Sequence, residues 1–151
     1  MSESVKREVI AIISVVLITI IGKMIHMERQ GLFYAAISAV ILTSVDFKDL
    51  LKKSKERLIG TIIGGIIGVI LSYLDINDIY VIIIGEILVI FICEKILKIP
   101  SAIASIVFLV IIYGVPSSEP YIYGLKRVLD TTFGILMTVF VTYTGEKLKF
   151  F

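Results

Sequence analysis

Glu56-Arg57-Leu58-Ile59-Gly60-Thr61-Ile62-Ile63-Gly64-Gly65-Ile66-Ile67-Gly68 decides the fold. It is an apolar run opened by a charged pair, with glycine at every fourth position. Residues four apart lie almost above one another on a helix. Gly60, Gly64 and Gly68, continued by Ser72, therefore form one small-residue line along which another backbone can approach. In lipid, burying leucine gains little over leaving it in hydrocarbon, so close contact of this kind becomes a main source of helix association. The stretch predicts a membrane helix with a packing face.

The same arrangement returns at Lys126-Arg127-Val128-Leu129-Asp130-Thr131-Thr132-Phe133-Gly134. Arg127 answers Arg57, Thr131 answers Thr61 and Gly134 answers Gly64. The small line recurs as Asp130, Gly134, Thr138 and Thr142. Two related halves, about 1–75 and 76–151, are expected within a single transmembrane domain without a soluble C-terminal domain.

Composition fits that reading. Of 151 residues, 58% are apolar and only 19% are charged, and the mean hydropathy is +1.02, well outside the range of soluble domains. A net charge of +2, with no basic patch interleaved with aromatics, argues against nucleic acid as a partner. The single cysteine, Cys93, excludes an intramolecular disulfide and any cysteine-rich metal site. No phosphate-binding loop, nucleophilic triad or metal-ligand spacing is present, so neither an enzyme nor a cofactor is expected.

Six apolar segments can be placed, at about 5–27, 32–45, 58–74, 79–93, 101–113 and 120–145. The Glu28-Arg29-Gln30-Gly31 cluster is expected to turn the chain after the first. The second carries its own small face, Ala35, Ala39 and Thr43. Asp46 is placed to cap an amphipathic helix that runs into the third segment, and Pro120 suits the first turn of the last helix. Lys6, Arg7, Lys48, Lys52, Lys53, Lys55, Arg57, Lys95, Lys98, Lys147 and Lys149 fall on one side of such a chain, and Lys23, Arg29, Lys126 and Arg127 on the other. The excess places both termini in the cytoplasm. Three segments per half then insert in opposite senses, giving an all-α integral membrane protein of six transmembrane helices in two inverted three-helix repeats. Heavy use of isoleucine and lysine suggests an AT-rich prokaryotic genome, and the cytoplasmic membrane of a prokaryote is the expected location.

Three stretches resemble the membrane half of the aromatic acid exporter and fusaric acid resistance superfamily. They are the segment from Gly31-Leu32-Phe33-Tyr34 to Val40, Arg57-Leu58-Ile59-Gly60-Thr61 with Gly64, and the residues 127–134. The resemblance implies a six-helix bundle and export of small organic acids, aromatic ones in particular.

Few residues suit the chemistry of such a carrier. Glu86 stands at the centre of the fourth apolar segment, where an ionisable group is costly, and with Asp130 it is a candidate for proton coupling. The alternative is a hydrogen-bonded structural carboxyl, or for Asp130 a pair with Arg127 one turn away. Arg57 and Arg127 offer the planar fork that grips a carboxylate, though their places at segment ends also suit snorkelling anchors. Tyr34 and Tyr113 are placed to stack on an aromatic ligand. Lys23 and His26 lie one turn apart near one mouth and are read as interfacial packing. Gly60, Gly64, Gly68 and Gly134 are read as helix-packing positions. Six short helices enclose little space, so a homo-oligomer in the lipid bilayer is expected. The rival readings are a non-transporting oligomeric scaffold and an anion channel.

Overall fold

The structure, a computed structural model, describes residues 2–74, 77–114 and 119–148. Every regular element among them is helical: α1 (Glu3–Met24), α2 (Arg29–Thr43), a 3-10 turn (Phe47–Asp49), α3 (Leu50–Ser72), α4 (Asp78–Ile90) continued by a π-helix (Phe91–Leu97), α5 (Ala102–Tyr113) and α6 (Pro120–Lys147). Among them α6 alone is both long and apolar enough to cross a membrane by itself. The 22 residues of α1 and the 23 of α3 include charged first turns, and α5 is apolar over only 12.

Two sequence-predicted boundaries move. Arg29, Gln30 and Gly31 belong to the first turn of α2, with Glu28 as N-cap, so the turn has the expected length but lies three residues earlier, at 25–28. Glu94 and Lys95, expected beyond the fourth segment, are inside the π-helix that prolongs α4. Asp46 stands at the N-cap of the 3-10 turn but makes no capping bond, because its carboxylate is taken by Arg7. The turns expected at 75–78 and 114–120 fall partly outside the described residues. Asn77 caps α4 through a bond from the Ile79 amide at 3.0 Å, and α6 does begin at Pro120.

The chain divides into two compact units, 1–55 with 129–151, and 56–128. The division cuts α3 and α6, so each unit draws on both sequence halves.

In the first unit α1 and α2 pack together. Ile10, Ser14, Ile18 and Gly22 form the buried line of α1, and Gly31, Ala35, Ala39 and Thr43 that of α2. Gly134 of α6 sits directly on Ala35, whose backbone carbonyl occupies the place a Cβ would need. Ile18, Ala35 and Ala39 form the core, with Phe133 and Met137 packed against them.

The second unit is built the same way. Val81, Gly85, Val89 and Cys93 form the buried line running from α4 into the π-helix, and Ala104, Val107, Phe108 and Ile111 that of α5. Gly64 of α3 sits on the backbone of Ala104, Gly68 against Ile111, and Gly85 under the ring of Phe108. Gly60 meets Ile103 at ordinary contact distance, so Gly64 is the glycine of the predicted line where close approach is obligatory.

Four threonine hydroxyls on these faces are satisfied within their own helices, while the Ser14 hydroxyl on the α1 line is buried without a partner among the described residues. Thr43 donates to the Ala39 carbonyl at 2.9 Å, Thr61 to Arg57 at 2.9 Å, Thr138 to Gly134 at 2.8 Å and Thr142 to Thr138 at 2.8 Å. Such back-bonding frees these threonines from any need for water, which suits helices that pack in hydrocarbon.

Candidate functional site

Arg57 and Arg127 both belong to the second unit and are buried, 7% and 2% exposed. Burial this complete is inconsistent with a snorkelling anchor, whose charged head stays in water. Arg127 lies over the ring of Tyr123, 4.6 Å from its centroid, and Tyr123 is itself buried. The negative face of an aromatic ring partly replaces the water a guanidinium loses on burial. Tyr123 was not singled out in the sequence, although its position four residues before Arg127, one helical turn away, is the spacing at which such pairs meet. Replacing Tyr123 with leucine is expected to lower stability by about 1–2 kcal/mol, while phenylalanine, which keeps the ring, changes it little; thermal unfolding of the two variants in detergent distinguishes them, and equal midpoints would remove the ring's role.

In the same unit α3 and α6 flank an apolar groove of about 310 Å³, lined by Ile62, Gly65, Ile66, Val69, Gly124 and Val128 among others and by neither arginine. No side chain fills the space above Gly65.

Glu86 is half-buried on α4. Its Oε2 accepts a hydrogen bond from the Ser105 hydroxyl of α5 at 2.8 Å, and its Oε1 is buried with no hydrogen-bond partner among the described residues. Ser105 follows Ala104, the residue on which Gly64 rests, so the carboxyl is attached to the helix that carries the α3 contact. No local spacing in the sequence foretold the Glu86–Ser105 pair, which depends on how α4 and α5 meet.

Asp130, 7% exposed, belongs to the first unit, and its carboxylate lies over the first turn of α2: a Cβ on Gly31 would stand 2.7 Å from Asp130 Oδ1. Unpaired amides at a helix start favour a negative charge there. The other named residues are less enclosed. Tyr34, half-buried on α2, meets Phe33 edge-on at 5.6 Å between centroids, and Tyr113 is 71% exposed at the end of α5. His26 stands outside α1 in a left-handed turn, φ 56°, and does not continue the helix face of Lys23.

An all-helical chain whose outward side chains include Ile62, Ile66, Ile70, Ile83, Ile87 and Leu136, and whose helices meet glycine to backbone, is constructed as a helical membrane protein. The family model described as fusaric acid resistance protein-like matches residues 10–141, and the chain belongs to that family. The family points to a function in membrane transport and to transporters, not enzymes. No curated protein and no solved structure matches the chain.

Proposed function

We propose that this protein exports small organic, preferentially aromatic, carboxylic acids across the cytoplasmic membrane of a prokaryote. The observation that carries the proposal is the buried guanidinium of Arg127 seated on Tyr123, in a unit that also holds an apolar groove between α3 and α6. A carboxylate supplies the charge such a group binds bidentately, and an apolar wall accepts a ring. In this reading Arg57 and Arg127 attract the anion, Glu86 and Asp130 carry the coupled proton, and homo-oligomers form the working assembly.

The carrier has six spans in two inverted halves. Support comes from equivalent positions performing equivalent tasks. Gly64 rests on Ala104 as Gly134 rests on Ala35. The line Ile10, Ser14, Ile18, Gly22 on α1 corresponds to Val81, Gly85, Val89, Cys93 in the second half. Both lines run into a reversal through a left-handed non-glycine residue, His26 with φ 56° and Lys98 with φ 54°. The Met27 amide bonds back to the Gly22 carbonyl and the Ile99 amide to the Cys93 carbonyl. The second reversal spans one more residue, and the wider π-helical turn accommodates it.

Counterflow in proteoliposomes, with a panel of hydroxybenzoates and aliphatic acids, tests the function. Saturable exchange of the aromatic acids is expected, faster with an inward proton gradient, and Glu86→Gln is expected to keep the fold while flattening that pH dependence, because an amide preserves the shape and the bond from Ser105 but carries no exchangeable acid proton. Single-channel currents would instead establish an anion channel, and neither flux nor current would leave a scaffold.

A further inference from the structure

The start of α1 and the end of α2 enclose a second cleft, of about 520 Å³, whose walls include Ser4, Arg7, Glu8 and Ala11 on one side and Val40 and Ser44 on the other. It lies wholly within the first unit. We propose that this cleft binds a phospholipid through a zwitterionic phosphoethanolamine headgroup, with the phosphate on Arg7 and the ammonium on Glu8.

The walls change character over one helical turn. Arg7 precedes Ala11 by four residues on α1, and Ser44 follows Val40 by four on α2, a rise of about 6 Å on each helix. Polar groups thus stand at one level and an apolar floor directly beneath, in the order in which a phospholipid presents its headgroup and acyl chains. The sequence sets the level: the apolar run of α1 opens at Val9 and that of α2 closes at Val45, so Arg7 and Asp46 stand just outside hydrocarbon.

The charges select the headgroup. Asp46 engages Arg7 through Nη2 alone, which fixes the guanidinium and leaves Nη1 without a partner among the described residues. A phosphodiester accepts from such a donor through a charge-assisted bond. Glu8, exposed and likewise unpartnered among the described residues, stands one residue along the same wall. A purely anionic headgroup would meet this carboxylate as a like charge. An ammonium a few atoms from the phosphate meets it as an opposite one. Ser4 and Ser44 add hydroxyls at the same level.

Native mass spectrometry of the delipidated full-length protein, titrated with phosphatidylethanolamine or with phosphatidylglycerol of the same acyl chains, tests the inference. Phosphatidylethanolamine is expected to bind about tenfold more tightly, the gain of one favourable charged contact. Glu8→Gln should abolish that preference while retaining binding of both lipids. Arg7→Gln should weaken both, and since it also breaks the pair with Asp46, Val40→Trp provides a second test: it fills the apolar floor, leaves Arg7 and Asp46 intact, and should expel both lipids. Equal affinity of the wild type for the two lipids, or lipid binding unaffected by Val40→Trp, would overturn the proposal. Displacement of the lipid by soluble phosphoethanolamine or inorganic phosphate at comparable concentration would identify a free phosphate compound as the ligand and overturn it equally.

Discussion

Gly64→Ala and Gly134→Ala are each expected to prevent assembly of a stable, monodisperse protein, whereas Gly65→Ala is expected to behave as wild type or slightly better. A methyl group on Gly64 would overlap the backbone carbonyl of Ala104, and one on Gly134 that of Ala35. In both cases the obstacle is helical main chain, which cannot rotate aside as a side-chain tip can. Relief requires separating the helices, and overpacking that cannot relax costs about 3 kcal/mol or more, a large share of the roughly 5–15 kcal/mol that holds a domain folded. At Gly65 no atom lies within 4 Å of the added carbon. There the substitution gains up to about 1 kcal/mol from the better helix propensity of alanine. Leucine sharpens the contrast: Gly64→Leu should destroy assembly and Ile63→Leu should not. Chromatography in detergent and thermal unfolding read all of these variants. Wild-type elution and melting of Gly64→Ala would refute the close approach.

That result bears on what the sequence can disclose. Glycine at intervals of four was legible because the interval nearly matches the helical period, and Gly64 and Gly134 on the lines it marks lie against the main chain of another helix. It did not disclose which glycine carries the contact. Gly60, Gly64 and Gly68 are equivalent in the sequence, yet only at Gly64 does another main chain fill the space, since that depends on where α5 crosses. The two arginines were legible either as forks for a carboxylate or as snorkelling anchors, but their depth was not. A cation seven residues inside a 23-residue helix suits either a membrane surface or an interior, and tertiary packing decides. The pairings of Ser105 with Glu86 and of Asp46 with Arg7 escaped for the same reason, because each is made between elements far apart in the chain or across helices. The π-helix left no compositional trace, because the extra residue is apparent only when Gly22–His26 is set beside Cys93–Lys98.

In the proposed orientation, the reversal at Lys98 faces the cytoplasm. Cys93 is the native thiol nearest to it but is fully buried, packed with Val89, Ala104 and Phe108. It is therefore expected to resist a maleimide from either side. Lys98, exposed in the left-handed turn, is the position to label. The Lys98→Cys variant, made in a Cys93→Ala background that loses about 1 kcal/mol of packing, should remain unlabelled by a membrane-impermeant maleimide in intact cells and react fully in inside-out vesicles. A cysteine at His26, the corresponding residue of the first half, should behave oppositely, because an odd number of spans per half places equivalent turns on opposite sides. The left-handed backbone at both positions imposes a similar modest strain on each cysteine, so a difference between them reports sidedness. Labelling of both from the same side would require an even number of spans in the repeat. The two halves would then be parallel, and alternating access by exchange of inverted halves would have no structural basis in this chain.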